Sequence, residues 1–309
     1  MTTRRDFLRS TSAALAGLWA GNALAAPTVA GAPSGPEISI FTKHLIGLSH
    51  RELAAAVARI GVTSIEAPVR SGGHVLPAQV EVELPKLVEA LAANGITISM
   101  LTTGINAVSD TTRTEAVLRT AKALGIKRYR MNWYTYAPDK PLWAQLDELK
   151  PRLRDLVALS KEIGIQPCYQ NHSGAKNVGA AVWDMAALMR EYRPEDLAWS
   201  FDILHATVEG GLSWPNQVAL ARERMAMAYF KNFRWKGRAV DSCPLAAGVI
   251  DAGYVKMLKA SRYQGPVCLH VEYLKGAIGD PGYLDYAIEA SRTDLATLEP
   301  GLVGEGADE

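Results

Sequence analysis

Arg59-Ile60-Gly61-Val62, Ala93-Asn94-Gly95-Ile96, Ala123-Leu124-Gly125-Ile126 and Glu162-Ile163-Gly164-Ile165 are four versions of one junction. In each, a helical pattern ends on a glycine and an apolar run opens directly after it. Glycine has no Cβ to oppose the left-handed conformation that closes a helix, so each junction reads as a helix stop followed by a strand start. The glycines lie 34, 30 and 39 residues apart, the length of one strand-and-helix unit. Working outward gives eight strand candidates, near residues 37–42, 62–68, 96–102, 126–132, 165–171, 197–203, 226–231 and 266–272. Helical patterns fall between and after them, at Glu52–Ile60, Val80–Ala93, Glu115–Leu124, Leu142–Ile163, Val182–Glu191, Asn216–Arg224, Tyr254–Ser261 and Tyr283–Leu295. Strict alternation with single-element crossovers implies a parallel sheet. Eight such units predict a single α/β domain, a (β/α)8 barrel spanning residues 37–309. The competing doubly wound sheet would carry Gly-x-Gly-x-x-Gly after a strand; no strand has it, and Gly72-Gly73 is not that fingerprint.

Composition narrows the function without naming it. The 309 residues carry 33 Lys+Arg against 32 Asp+Glu, so no long-range field gathers nucleic acid or an acidic membrane surface. With 48% hydrophobic and 21% charged residues the chain is globular, not disordered. Three cysteines define no disulfide framework, and Cys168 and Cys268 lie inside apolar runs that read as buried strands.

The N-terminus reads Thr3-Arg4-Arg5-Asp6-Phe7-Leu8-Arg9, then an uncharged stretch ending in Ala23-Leu24-Ala25. Paired arginines, a moderately apolar segment and a small-x-small end resemble a twin-arginine export signal over residues 1–25. The apolar run is shorter than the ~20 residues a membrane span needs, so no stable insertion is expected once the signal is removed. Residues 26–36 then form a Pro/Gly/Ala linker, and the barrel is expected in the periplasm.

In a barrel of this kind chemistry gathers at the carboxyl ends of the strands. Five of the six histidines, His44, His74, His172, His205 and His270, fall at strand ends or in the loops after them; His50 starts a helix. The same segments carry Lys43, Arg70, Arg128-Tyr129-Arg130-Met131-Asn132-Trp133, Gln170, Asp202, Lys231 and Glu272. The Gly72-Gly73 turn can bring Arg70 and His74 over the mouth. Alternation sends Arg128, Arg130 and Asn132 to one side, which is costly unless polar partners meet them there. His270 and Glu272 share a side by the same two-residue period. Asp202 and Glu272 are hard oxygen ligands, Gln170 can add a carbonyl oxygen, and histidine admits softer divalent ions.

Together, Arg70-Ser-Gly-Gly-His-Val-Leu-Pro77, Tyr129-Arg-Met131, Tyr169-Gln-Asn-His-Ser-Gly174, Asp202-Ile-Leu-His-Ala206 and His270-Val-Glu-Tyr273 resemble the xylose-isomerase-like barrel superfamily of sugar isomerases and epimerases. The likeness runs from about Glu37 to Leu295 and is strongest with exported members described as sugar phosphate isomerase/epimerase proteins. The resemblance implies one divalent metal ion (Mn, Mg, Co or Zn) held by Gln170, Asp202 and Glu272. It also implies that His205, three residues after Asp202, contacts substrate. Two positions depart from the superfamily pattern: Gln170 stands where a glutamate is usual, and strand 7 offers Tyr229, Lys231 and Asn232 where many relatives carry His and Lys-Asp. A glutamine cannot accept a proton, so the symmetric two-carboxylate epimerase mechanism is not supported.

The expected activity is metal-assisted proton abstraction next to the carbonyl of a sugar or keto-sugar, as in isomerisation or epimerisation. Glu272, His205, His172, Lys43 and Lys231 are the candidate catalytic residues, and Arg70, His74, Arg130, Trp133 and His270 the candidate substrate-binding residues. The same site suits elimination or hydration of a 3-keto-glycoside, which export favours because phosphorylated sugars are intracellular. A different class, a non-catalytic periplasmic sugar-binding barrel, is the reading the two departures favour. An abasic-site endonuclease needs many more metal ligands than this chain offers. The expected partner is therefore a small carbohydrate and not nucleic acid, with a homo-oligomer left open.

Overall fold

The computed structural model describes residues 35–302 apart from residue 251. The export signal assigned to residues 1–25, and the linker as far as residue 34, lie outside the described residues. Among the described residues there are ten strands: β1 (Ile38–Phe41), β2 (Ser64–Val69), β3 (Thr97–Thr103), β4 (Arg128–Arg130), β5 (Gln166–Gln170), β6 (Ala198–Asp202), β7 (Met225–Phe230), β8 (Asn232–Lys236), β9 (Ala239–Cys243) and β10 (Val267–Leu269). Strands β1 to β7 pair in chain order and β10 closes the ring between β7 and β1, giving a closed barrel of eight parallel strands. Each of the eight expected strands falls in the barrel.

Among the described residues nine α-helices cross between the strands or follow them: α1 (His50–Ile60), α2 (Val80–Ala92), α3 (Thr114–Ala123), α4 (Leu142–Ile163), α5 (Trp183–Met189), α6 (Ile203–Gly210), α7 (Trp214–Ala221), α8 (Gly253–Ala260) and α9 (Tyr283–Leu302). Their boundaries follow from local chemistry. At the start of α1, the Ser49 hydroxyl accepts from the Glu52 N–H and the Glu52 carboxylate accepts from the Ser49 N–H at 2.9 Å, a reciprocal cap. At its end Gly61 takes φ +100° and donates its N–H to the Val57 carbonyl at 3.1 Å. Gly164 closes α4 the same way at φ +81°. Leu53, Val57 and Ile60 line the buried face of α1 against the barrel.

Helix α6 and the two strands β8 and β9 were not anticipated. Helix α6 starts directly from β6, because Asp202 ends the strand and caps the helix, its Oδ1 accepting from the N–H groups of Leu204 and His205. Strands β8 and β9 form an antiparallel hairpin with Lys236 opposite Ala239. Gly237 leads its two-residue turn at φ +63°, which suits the twist of a hairpin.

Inside the barrel the two-residue strand period sorts residues into rungs. Phe41, Met100, Cys168, Ala198, Met227, Tyr229 and Cys268 pack together as an interior core separate from the one between strands and helices. Continuing the period from these residues toward the carboxyl ends leads from Cys168 to Gln170, from Ala198 through Ser200 to Asp202, from Tyr229 to Lys231, and from Cys268 through His270 to Glu272. The apolar floor and the polar mouth are thus successive rungs of the same strands.

Candidate active site at the carboxyl ends of the strands

Lys231 stands at the centre of the mouth. It directly follows β7, is 5% exposed, and its Nζ lies 3.0 Å from Asp202 Oδ2, 2.9 Å from Glu272 Oε2 and 3.0 Å from His205 Nε2. An ammonium has three N–H donors, and these acceptors match them in number. His205 Nε2 therefore accepts, which places its ring proton on Nδ1, directed at the Ser173 hydroxyl 2.9 Å away. Burial alone would lower the Lys231 pKa, but Asp202 and Glu272 overcome it and hold the amine protonated. Burial would likewise raise Asp202, yet the Lys231 ammonium brings its carboxyl down to about 2. Glu272 is held well below the usual carboxylate range, with Lys231 again outweighing burial.

Asp202 is fixed from several sides. Asn171 receives the Asp202 N–H on its Oδ1 at 2.7 Å and returns a bond from Nδ2 to the Asp202 carbonyl at 2.9 Å. Gln170 donates its amide Nε2 to Asp202 Oδ2 at 2.7 Å, while its Oε1 is buried without a partner. Glu272 is less enclosed: its side chain is 26% exposed, and its Oε1 lies 3.8 Å from the half-exposed Lys43.

A stack of rings forms one wall. His172 lies between Trp133, at 4.3 Å between ring centres, and His205, at 3.8 Å. Its Nδ1 is 3.0 Å from the Ser173 carbonyl and 3.3 Å from Asn177 Nδ2, which itself donates to that carbonyl at 3.0 Å; the shorter contact to an acceptor places the proton on Nδ1 and leaves the Nε2 lone pair without a hydrogen bond among the described residues. Burial lowers its pKa, so the ring is neutral and able to accept a proton.

Beneath the mouth lies a second charged cluster. Glu66, on β2, is fully buried; its Oε1 is 3.3 Å from Arg130 Nε and takes the Thr102 hydroxyl, and its Oε2 is 3.4 Å from His270 Nε2 and 3.5 Å from Cys268 Sγ. Arg130 lies over the rings of Phe41 and Tyr229. Burial would raise the Glu66 pKa, but Arg130 and His270 hold it at about 2. Glu66, Cys268 and His270 are also the group among the described residues that could hold a metal ion, with ligand atoms within 4.8 Å of one another.

The expected site residues thus divide. Asp202, Glu272, Lys231, His205, His172, Gln170, Lys43 and Trp133 meet at the mouth. Arg130 and His270 turn inward to Glu66, so neither is presented at the mouth as the substrate contact the sequence suggested. Arg70 follows β2 at the rim, half-buried, in the fields of Glu66 and Glu272. His74 points to the end of β1 instead, with Nε2 3.1 Å from the Thr42 carbonyl and 3.0 Å from its hydroxyl. It pins the β2 loop, and burial lowers its pKa to about 4. Glu66 was not anticipated. The available signal was a carboxylate in the middle of Ser64-Ile-Glu-Ala-Pro-Val69, a strand buried along its whole length, with Arg130 in need of a partner two strands away.

Fold and site define a (β/α)8 barrel with a lysine-centred cluster of carboxylates and histidines in its mouth. The chain belongs to the family described as Xylose isomerase-like TIM barrel, matched over residues 54–293. Among solved structures it is similar to D-psicose 3-epimerase from Clostridium cellulolyticum H10 in a structure with D-tagatose, at 12% identity over 85% of this chain and 98% of that one, TM-score 0.64. It is similar to D-allulose 3-epimerase from Methylomonas sp., at 15% identity over 87% and 99%, TM-score 0.63. A third is 3-keto-D-glucoside 4-epimerase from E. coli in its apo form, at 15% identity over 85% and 99%, TM-score 0.62. No curated protein matches the sequence. At such identities these structures establish the shared fold.

Proposed function

We propose that the protein is a sugar isomerase/epimerase-like enzyme that removes a proton next to the carbonyl of a sugar or keto-sugar. The observation that carries this reading is the juxtaposition at the mouth of a buried, protonated Lys231 with a neutral His172 whose Nε2 is free. Enolisation needs those two functions, a cation for the oxygen that gains charge and a base for the carbon-bound proton. His172 is the base. His205 has both ring nitrogens engaged, and His270 lies in the lower cluster. Lys231 stabilises the enolate oxygen, with Lys43 and Arg70 adding positive charge at the rim. Glu272, the most exposed of the acceptors on Lys231, receives a substrate hydroxyl. Trp133 backs His172 and keeps its ring in place.

The divalent ion expected at Gln170, Asp202 and Glu272 does not fit this donor set. Both carboxylates spend an oxygen on Lys231, Gln170 turns its amide nitrogen to Asp202, and a fixed positive charge already stands between them. The solved relatives named above act on ketoses and a keto-glucoside according to their descriptions, which supports a carbohydrate substrate. The Arg4-Arg5 signal supports export to the periplasm, where the substrate would be an unphosphorylated keto-sugar or keto-glycoside. Among the described residues no helix is long and apolar enough to cross a membrane.

The test is a product screen by NMR with free ketoses, 3-keto-glycosides and phosphorylated ketoses, using wild type and His172→Asn. Turnover of an unphosphorylated keto-sugar, reduced at least ~100-fold in the variant, is expected for loss of a general base. Saturable sugar binding with no turnover of any of the three classes would instead indicate a binding protein.

A further inference from the structure

We propose that Lys231 is the resident cation of the Asp202–Glu272 site, and that its ammonium takes up the coordination a divalent metal ion would otherwise have there. The placement of the ammonium rests on geometry alone; its service to the substrate oxygen rests on the function proposed above.

Three features carry the inference. First, the separations of 3.0, 2.9 and 3.0 Å from Nζ to Asp202, Glu272 and His205 suit N–H donors. The amine is saturated as a ligand centre would be, with two oxygens and one imidazole nitrogen around it. Second, both oxygens of Asp202 are committed, although Gln170 Oε1 and Glu272 Oε1 accept no hydrogen bond among the described residues. Asp202 Oδ1 accepts from two backbone N–H groups as the cap of α6, and Asp202 Oδ2 also accepts from Gln170 Nε2. A cation entering this shell would have to displace the amine and rotate Gln170. Third, charge balances locally. Asp202 and Glu272 face Lys231 and, at the rim, Lys43. A doubly charged ion beside a buried ammonium would leave an excess of positive charge in a desolvated place.

The chemistry differs from that of a metal. An ammonium cannot bridge two sugar oxygens by coordination, but it can donate a hydrogen bond to one oxygen as charge develops on it. The partner that gives way is Glu272, because Asp202 is fully buried and tied to α6 whereas the Glu272 side chain is 26% exposed. A substrate oxygen then takes the third N–H of Lys231 while the freed Glu272 oxygen accepts from the neighbouring hydroxyl.

The test is Mn²⁺ binding followed by electron paramagnetic resonance on full-length protein freed of metal by chelator. Mn²⁺ is a hard ion that prefers oxygen donors, so the sulfur-containing Glu66, Cys268 and His270 group is a poor competitor for it. Wild type is expected to bind no Mn²⁺ that depends on Asp202. Lys231→Ala, which empties the centre of the shell, is expected to gain one Mn²⁺ that Asp202→Asn removes again. Lys231→Met, which keeps the stem volume, serves if the alanine variant does not fold, and is expected to gain the same ion more weakly. Asp202-dependent Mn²⁺ in wild type, or none in folded Lys231 variants, overturns the proposal. These measurements need no substrate, so they fail or succeed independently of the enzymatic reading. Once a substrate is found, chelator-treated wild type is expected to keep its rate within about twofold, and Lys231→Met to lose kcat more than KM.

Discussion

Replacing Arg130 by methionine isolates the energetics of the floor on which the mouth is built. Arg130 Nε lies 3.3 Å from the fully buried Glu66, and the change removes the charge while keeping most of the stem between Phe41 and Tyr229. The carboxylate would be left with the Thr102 hydroxyl, the Cys268 thiol and His270 around it. Stripping one partner from a buried pair costs about 3–5 kcal/mol when the other stays charged. The cluster can reduce that cost by taking up a proton. Glu66 is held at about 2 in wild type, so its carboxylate carries no proton near neutral pH. A folded variant with one extra proton is penalised by about 1.4 kcal/mol for each unit of rising pH, relative to wild type, until the proton is released. Urea unfolding should therefore show a loss of about 3–5 kcal/mol at pH 7, smaller by about 2–3 kcal/mol at pH 5. The double variant Arg130→Met/Glu66→Gln should recover much of the loss and flatten the pH dependence. A cost below about 1 kcal/mol at pH 7, with no dependence on pH, would refute the account of the pair.

Two further outcomes follow from the same physics. Asp202 and Glu66, both held at about 2, stabilise the fold above their unfolded values near 4, and that contribution is lost as pH falls toward 2. Thermal melting should show Tm falling steeply over that window, less steeply in Asp202→Asn, which has no carboxyl to protonate. Gly164→Ala places a Cβ on a residue at φ +81° beside the Lys122 side chain, and should cost about 1–2 kcal/mol by chemical denaturation without altering the mouth.

The barrel was legible because its signal is repeated and local: Gly61, Gly95, Gly125 and Gly164 each end a helix pattern, and each takes the positive φ that the pattern requires. Helix α6 was hidden because its first residues read as a continuation of β6, and Asp202 serves as strand end, helix cap and site residue together. The hairpin β8–β9 was hidden because strands and helices were expected to alternate without exception.

The mouth was legible as a set of residues but not as an arrangement. Strand period placed Lys231, Asp202, Gln170 and Glu272 at the same end, yet nothing in the spacing shows that the amine of one enters the shell of the others. That depends on the reach of the lysine stem across neighbouring strands, a tertiary distance with no sequence period. Arg130 and His270 show the same limit from the other direction. Their strand positions suggested the mouth, and Glu66, a single carboxylate in an apolar run, holds them one rung lower.

In the proposed reaction a cation and a neutral base meet over a sugar carbon acidified by its carbonyl. Proton NMR of a bound keto-sugar in deuterated water measures this directly. The C–H next to the carbonyl is expected to exchange with solvent deuterium in wild type, and His172→Asn to slow the exchange at least ~100-fold while the sugar still binds. Saturable binding of keto-sugars with no exchange at that carbon in wild type would contradict it.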